Sequence, residues 1–396
     1  MGNIRILSLA AFIGSVAGSL FWTVFNLYLW DLNFSLLEIS ILNAIPMVIS
    51  ISFSRFFGRL ADMTGRKKFI TTQYILGGST YIILSLMILY GRISLSLLIV
   101  IYILLGTAGT IGGGALTAAV TTSLRRERSG EATGIFLSFG SLGWMIGSFI
   151  SGFMADILGM SSVAMASGSL LMLDGLLIVC LFREEKRAEM VSLRRIFRES
   201  LSFSLEGDSS MLLLLFAMIT LYSFGGALYG LAFTIKMYVI LETKTLYGIV
   251  SGLAGLTNMF APYIVGKLGD KYSKESLLLY GLAVRDIYML YLAFTWDKTA
   301  IIIFMIAPMW VFISVPTIAL TTDYSSRGHE SEVQSIRGII QGTSNVVGGI
   351  VSGLIAEIFD VHENIMALDT ILLIGSIILF IALIPAIILR KNGTRR

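Results

Sequence analysis

The stretch Gly58-Arg59-Leu60-Ala61-Asp62-Met63-Thr64-Gly65-Arg66-Lys67-Lys68 decides the fold. It sets an acid, a turn glycine and three consecutive cations between two long apolar segments. A weaker copy follows at an offset of 208, as Gly266-Lys267-Leu268-Gly269-Asp270-Lys271-Tyr272-Ser273-Lys274. One charged hinge in each half of the chain points to a duplicated protein with two lobes that rock against each other.

The solvent of those lobes follows from composition. The chain has 396 residues, 56% hydrophobic and 14% charged, against about 25% charged in a soluble domain. Such a sequence cannot clothe itself in polar surface. Apolar runs near the ~20 residues that cross a bilayer follow one another closely. Helices satisfy the backbone there, and the runs are too long for barrel strands. The reading is an all-α integral membrane protein with twelve spans, at about 4–30, 38–60, 69–90, 93–122, 134–156, 162–182, 211–240, 245–268, 276–295, 299–322, 336–358 and 365–389. The first run is too long for a signal-peptide core and reads as a retained span.

Lys and Arg set the orientation. Segments on one side carry Arg66, Lys67, Lys68, Arg125, Arg126, Arg128, the cluster from Arg183 to Arg198, Lys271, Lys274, Arg327 and the C-terminal cations. The other side carries only Arg92, Lys244 and Lys298. Both termini are therefore expected in the cytoplasm, in a multi-pass protein of the cell membrane. Between spans six and seven, Met190, Leu193, Phe197 and Leu201 recur at helical spacing opposite Arg194, Arg195 and Arg198. This predicts a basic amphipathic helix on the anionic leaflet. The expected organisation is a first six-helix bundle over 1–182, a linker over 183–210 and a second bundle over 211–396.

The halves repeat. Gly18, Leu20 and Phe25 match Gly226, Leu228 and Phe233 at the offset of 208. Glu131, Gly147, Ser151, Gly152 and Ala155 match Glu332, Gly348, Ser352, Gly353 and Ala356 at 201, so one net seven-residue deletion relates the copies. Six spans per copy make these parallel repeats about an axis along the membrane normal.

On these residues the chain resembles the major facilitator superfamily of secondary transporters. That family's signature loop reads G-x-x-x-D-x-x-G-R-[RK]; here Gly58, Asp62, Gly65, Arg66 and Lys67 fill it. The second copy keeps Gly266 and Asp270, with Ser273 for the second glycine and Lys274 for Arg66. Gly58 and Asp62 share a helix face. Gly58 allows a neighbouring helix to approach, Asp62 can accept from helix N-terminal amides, and Gly65 supplies the turn. Arg66 is expected to pair with Glu131, and a sister cluster with Asp270, Lys274 and Glu332. The resemblance implies that these clusters latch the lobes together, that spans one, four, seven and ten line a central cavity, and that transport is proton-coupled. Spans five and eleven carry small residues at spacings of three and four, which let helices cross closely. Gly143 is followed by Trp144, a departure from the Gly-Pro motif of drug antiporters in this superfamily.

On the lining spans, Phe21, Phe25, Asn26 and Tyr28 recur in span one, Tyr222, Tyr229, Phe233 and Lys236 in span seven, and Trp310 in span ten. An aromatic lining with one cation suits an amphiphilic solute, and the same stripe is also what plain packing produces. Lys236 can contact an anion, pair with another charge in the cavity, or snorkel to the interface. Asp174, Arg285 and Asp286 fall near mid-membrane, where charges are paired or functional. They read as a buried structural set, with Asp174 and Asp286 as the alternative proton carriers. His329, His362 and Cys180 form no metal-ligand pattern. No nucleotide motif appears, and no cofactor and no nucleic-acid partner are expected.

The reading is a monomeric secondary active transporter working by alternating access. It moves a small amphiphilic solute by proton-coupled export of the multidrug-efflux kind. The alternative is proton-coupled uptake of a metabolite or organic anion. A membrane-embedded enzyme or lipid scramblase is remote, because no convergent cluster of His, Cys or carboxylates is visible.

Overall fold

The computed structural model describes residues 2–123, 129–184, 207–326 and 329–393. The amphipathic segment expected at 190–201 lies outside these residues. Spans one to four are the helices Gly2–Asp31, Leu36–Thr64, Arg66–Leu89 and Leu95–Thr121. Spans seven to nine are Ser209–Leu241, Lys244–Lys271 and Lys274–Phe294. Span ten is broken into Lys298–Ile306 and Val311–Tyr324, with Pro308 in the break. Spans eleven and twelve are Glu330–Ile358 and Ala367–Gly393.

Among the described residues, eleven helical stretches are long and apolar enough to cross a membrane. One of them, Thr133–Leu181, has 49 residues, about 73 Å of helix at 1.5 Å per residue. That is more than twice the ~30 Å hydrocarbon core. It is interrupted at Gly159, where φ is 81° and ψ is 162°. Neighbours show that the chain reverses there. Before the break, Gly143 lies against Phe12 and Gly147 against Val16, so this part runs parallel to span one. Span one runs parallel to span three, since Gly14 meets Tyr74 and Phe21 meets Tyr81. After the break, Ser161 bonds Ser85, Gly168 meets Gly78 and Gly175 meets Ile75, which is antiparallel to span three. The stretch therefore holds spans five and six.

The chain forms two compact units. One comprises residues 1–29, 45–202 and 242–256; the other comprises 30–44, 203–241 and 257–396. The start of span eight thus belongs with the first unit and the start of span two with the second. The reason is backbone contact. A Cβ on Gly152 would overlap the backbone of Lys244 and Thr245, and one on Gly353 would overlap that of Leu37. Thr245 and Leu37 stand at the offset of 208, Gly152 and Gly353 at 201, so one crossing occurs twice. Gly147 against Val16 and Gly348 against Phe224 repeat in the same way. Small residues allow this approach, and in lipid close packing drives helix association.

Within the first unit, Leu7, Ile70, Tyr74, Ala115 and Ile178 draw spans one, three, four and six into one core. In the second, Leu215, Leu282, Ile313, Val333 and Leu389 do the same for spans seven and nine to twelve. Overpacking a close crossing costs about 1–3 kcal/mol. Gly353→Val is therefore expected to lower the thermal midpoint of the purified protein by several degrees. Gly349→Ala, where a Cβ meets no atom within 4 Å, should leave it unchanged or slightly raised.

Candidate functional site

The signature loop folds around Gly65. Its φ of 102° is a conformation that L side chains avoid. The turn brings the first amides of span three against Glu184, just beyond span six. Glu184 accepts from the backbone N–H of Arg66, and from that of Lys67 at 3.0 Å. A carboxylate on orphan N-terminal amides satisfies them and complements the helix dipole. The second copy solves the same problem locally. Ser273, at φ −62°, accepts from Ser276 N at 3.2 Å as an ordinary N-cap. The missing glycine of that copy is thus a change of cap, from an acid delivered by span six to a serine in the turn.

Arg66 joins three groups. It pairs with Asp62 at 2.6 Å and donates to Ala118 O at 2.9 Å and Thr122 Oγ1 at 2.7 Å, at the end of span four. In the second copy, Lys274 pairs with Asp323 at 2.6 Å, at the end of span ten. Asp323 is the repeat equivalent of Thr122, so both copies tie the start of their third helix to the end of their fourth. The sister partner of Lys274 is Asp323 rather than the Glu332 expected from sequence; Glu332 faces His329 at 3.5 Å. The side chains of Glu131 and Asp270 lie outside the described residues. Asp62 is 52% exposed and held by Arg66. At Gly58 a Cβ would meet nothing within 4 Å, whereas one on Gly114 of span four would come 3.3 Å from Gly58 Cα. The close approach is therefore demanded of Gly114, not of Gly58.

The aromatic stripe of span one is turned into its own bundle. Phe21 and Phe25 are fully buried and pack with each other, with Tyr81 of span three and with Tyr102 of span four. Tyr28 and Asn26 are half-buried. Tyr229 is buried and donates to Met289 O at 3.4 Å, while half-buried Phe233 stacks on Tyr229 and meets Phe304. Trp310, exposed at the break in span ten, donates to Asn258 Oδ1 at 2.8 Å.

Lys236 neither snorkels nor stands open. Its side chain is 0% exposed, and its ammonium bonds Asp369 at 2.6 Å and Leu292 O at 2.8 Å. Trp296 lies under it at 4.8 Å and donates to the other oxygen of Asp369 at 2.9 Å. The cluster knots spans seven, nine and twelve. Arg285 donates to Tyr222 Oη with its guanidinium 4.7 Å over that ring. It does not pair with its neighbour Asp286. Asp174 and Asp286 are fully buried, and their carboxylates have no hydrogen-bond partner among the described residues. The expectation of a buried structural set is thus replaced by one occupied cation and two unpartnered acids.

The first unit holds an open cleft of about 600 Å³ walled by Trp22, Tyr74, Tyr81 and Trp144, with Gln73 among its polar groups. None of these wall residues stands out in the sequence as a lining residue. Trp22 sits one position from Phe21, about 100° around the helix, which is enough to place it on another face.

The sequence profile described as Major Facilitator Superfamily matches residues 7–315 and 215–395. The chain belongs to the Major Facilitator Superfamily. Among curated relatives, it is 26% identical over 235 residues to the multi-drug resistance efflux pump PmrA of Streptococcus pneumoniae serotype 4, covering 57% of this chain and 56% of that protein. The chain thus spans a little over half the length of that relative. It is 26% identical over 309 residues to the multidrug resistance protein MdtG of Klebsiella pneumoniae, covering 74% of this chain and 71% of that one. Its fold is that of the nucleoside transporter NupG, with a TM-score of 0.79 at 11% identity over 98% of this chain and 99% of that one. It is also that of a bacterial homolog of the human lysosomal transporter Spinster in an inward-facing state, at 0.77 and 12% over 99% and 97%. In this superfamily member, removing one partner of a buried ion pair leaves an uncompensated charge, at a cost of about 3–5 kcal/mol. Asp369→Ala should therefore strongly lower the thermal midpoint. The double variant Lys236→Met with Asp369→Leu should recover most of the loss in the same melting assay.

Proposed function

We propose that the chain is a secondary active transporter that moves a small amphiphilic solute across the cell membrane by alternating access, coupled to protons and in the direction of export. What carries the reading is superfamily membership together with a signature cluster rebuilt, in register, in both halves. Arg66 onto Thr122 and Lys274 onto Asp323 are charge-assisted ties at helix ends, of the kind that hold one arrangement and release in another. In this reading residues 1–182 and 211–396 are the rocking bundles and 183–210 is their linker. The Lys and Arg bias sets the signature loop and both termini in the cytoplasm. Two curated relatives named for multidrug resistance support export over uptake.

Asp174 and Asp286 are the proposed proton carriers. A carboxyl group with no bonded partner in an apolar bundle can cross the membrane field neutral and release its proton where water reaches it. Gly58, Asp62, Gly65, Arg66, Lys67, Glu131, Asp270 and Lys274 are the proposed latch residues.

Purified protein in liposomes tests the direction. An acid interior should drive accumulation of an amphiphilic dye, and a flux driven only by an acid exterior would instead favour proton-coupled uptake. No gradient-driven flux of any solute would remove the transporter reading. Asp62→Asn weakens a charge-assisted tie worth about 1.4 kcal/mol, so exchange should change roughly tenfold in rate with expression intact. The check is the initial rate of dye flux. An unchanged rate would remove the latch.

A further inference from the structure

The face opposite the signature loop is held by a different set of groups. Span one ends there at Trp30 and Asp31, and span two begins at Leu36. Span eleven ends there at Ile358, and the loop that follows carries His362. The His362 ring lies on the Trp30 indole, with centroids 3.8 Å apart and planes 12° from parallel. Its Nε2 stands 3.0 Å from Phe34 O. Tyr238, near the end of span seven, donates to Asp31 Oδ2 at 3.1 Å. All of these residues belong to the second unit. The junction of spans one and two is thus gripped by side chains 207 and 328 positions further along the chain.

Both turns that meet here are fixed. Asn33, at φ 62°, donates its amide to Trp30 O at 2.9 Å. Asp360, at φ 48°, accepts on its carbonyl from Glu363 N at 3.1 Å and Asn364 N at 2.8 Å. Asn and Asp take that left-handed conformation at the least cost of any residue but glycine. Trp30 is half-buried and His362 exposed, so water reaches the imidazole. The only other histidine of the chain, His329, lies at the far end of span eleven. The charged groups on the elements that meet here are mainly acids: Asp31, Glu38, Glu357, Asp360 and Glu363. Asp369 of span twelve is matched by Lys236, and Lys244 begins span eight just beyond the end of span seven.

Both contacts of His362 favour its charged form. A neutral ring donates one N–H to Phe34 O. An imidazolium makes that bond charge-assisted, about twice as strong, and sets a cation on the face of an indole. An ordinary imidazole changes charge between about pH 5 and 8. The tie binds the proton, so its extra strength is complete below that range and is lost as pH rises through it. We propose that His362, seated on Trp30 and Phe34, is a clasp that holds the face opposite the signature loop shut more firmly in acid than in neutral medium. The inference rests on reading the chain as an alternating-access carrier, and it adds control of one gate by the pH on that side.

Electron-resonance distance measurement on the full chain in nanodiscs tests it without any need for flux. Leu32→Cys and Asn364→Cys, two exposed positions beside the contact, carry the spin labels, with Cys180→Ser. From pH 8 to pH 5 the ratio of short to long separations should rise roughly two- to fivefold, the size of one cation–π contact at an exposed site. His362→Gln keeps a donor for Phe34 O but does not titrate, and it should lose at least half of that rise. Trp30→Leu, which removes the indole face, should do the same. The melting midpoint of each variant verifies its fold. No rise with native His362, a change in the opposite direction, or more than half of the rise surviving in either folded variant would each overturn the proposal. A clasp that behaves as expected without gradient-driven flux would stand while the transport reading fell; flux with no pH response of the labels would do the reverse.

Discussion

Backbone laid on backbone at glycine is the constraint on which the rest depends. Lipid offers helices no hydrophobic reason to associate, so close fit must supply the attraction. At Gly152 and Gly353 no side chain larger than hydrogen fits, because Lys244 and Leu37 present their main chains there. These crossings tie span five to the start of span eight, and span eleven to the start of span two. Asp156 reinforces the first by accepting from Thr245 N at 2.8 Å and Thr245 Oγ1 at 2.7 Å, where span eight needs its first amides satisfied. A contact made only of fit and a few exposed hydrogen bonds can part without leaving a charge stranded. That property is what a moving seam needs and what the Lys236–Asp369 knot lacks.

The opposite end of the spans is held by charge rather than fit. Arg66 caps the end of span four while Glu184 caps the start of span three. The second copy does both jobs with other residues, Asp323 and Ser273. Duplication preserved the positions and let the chemistry drift.

Much of this was legible because the informative residues are of types that repeat visibly. Gly147, Gly152, Gly348 and Gly353 stand out in an apolar background, and their spacing revealed both the register and the close crossings. The break between spans five and six is expected between 156 and 162, and Gly159 carries it. Partners across long distances were not legible. Glu184 is an ordinary acid in a charged loop until the fold carries it to Gly65. Asp323 could have been found by applying the offset of 201 to Thr122, but nothing in the sequence marked Thr122 as a partner of Arg66. For Lys236 the sequence leaves both an interfacial cation and half of a charge pair open, and it does not mark the partner because Asp369 is 133 positions away. The aromatic stripe of span one was seen, but periodicity cannot say which of two adjacent faces meets a cavity, and Trp22 rather than Phe21 does.

If residues 1–182 and 211–396 rock against each other as proposed, the glycine crossing between spans five and eight must part in every cycle. A disulfide across it tests this most directly. Cysteines at positions 156 and 245, whose side chains are in contact, are introduced with the single native Cys180 changed to serine, and flux in liposomes is measured before and after oxidation. The account predicts that oxidation stops flux and that reduction restores it. Undiminished flux with the cross-link fully formed would contradict it.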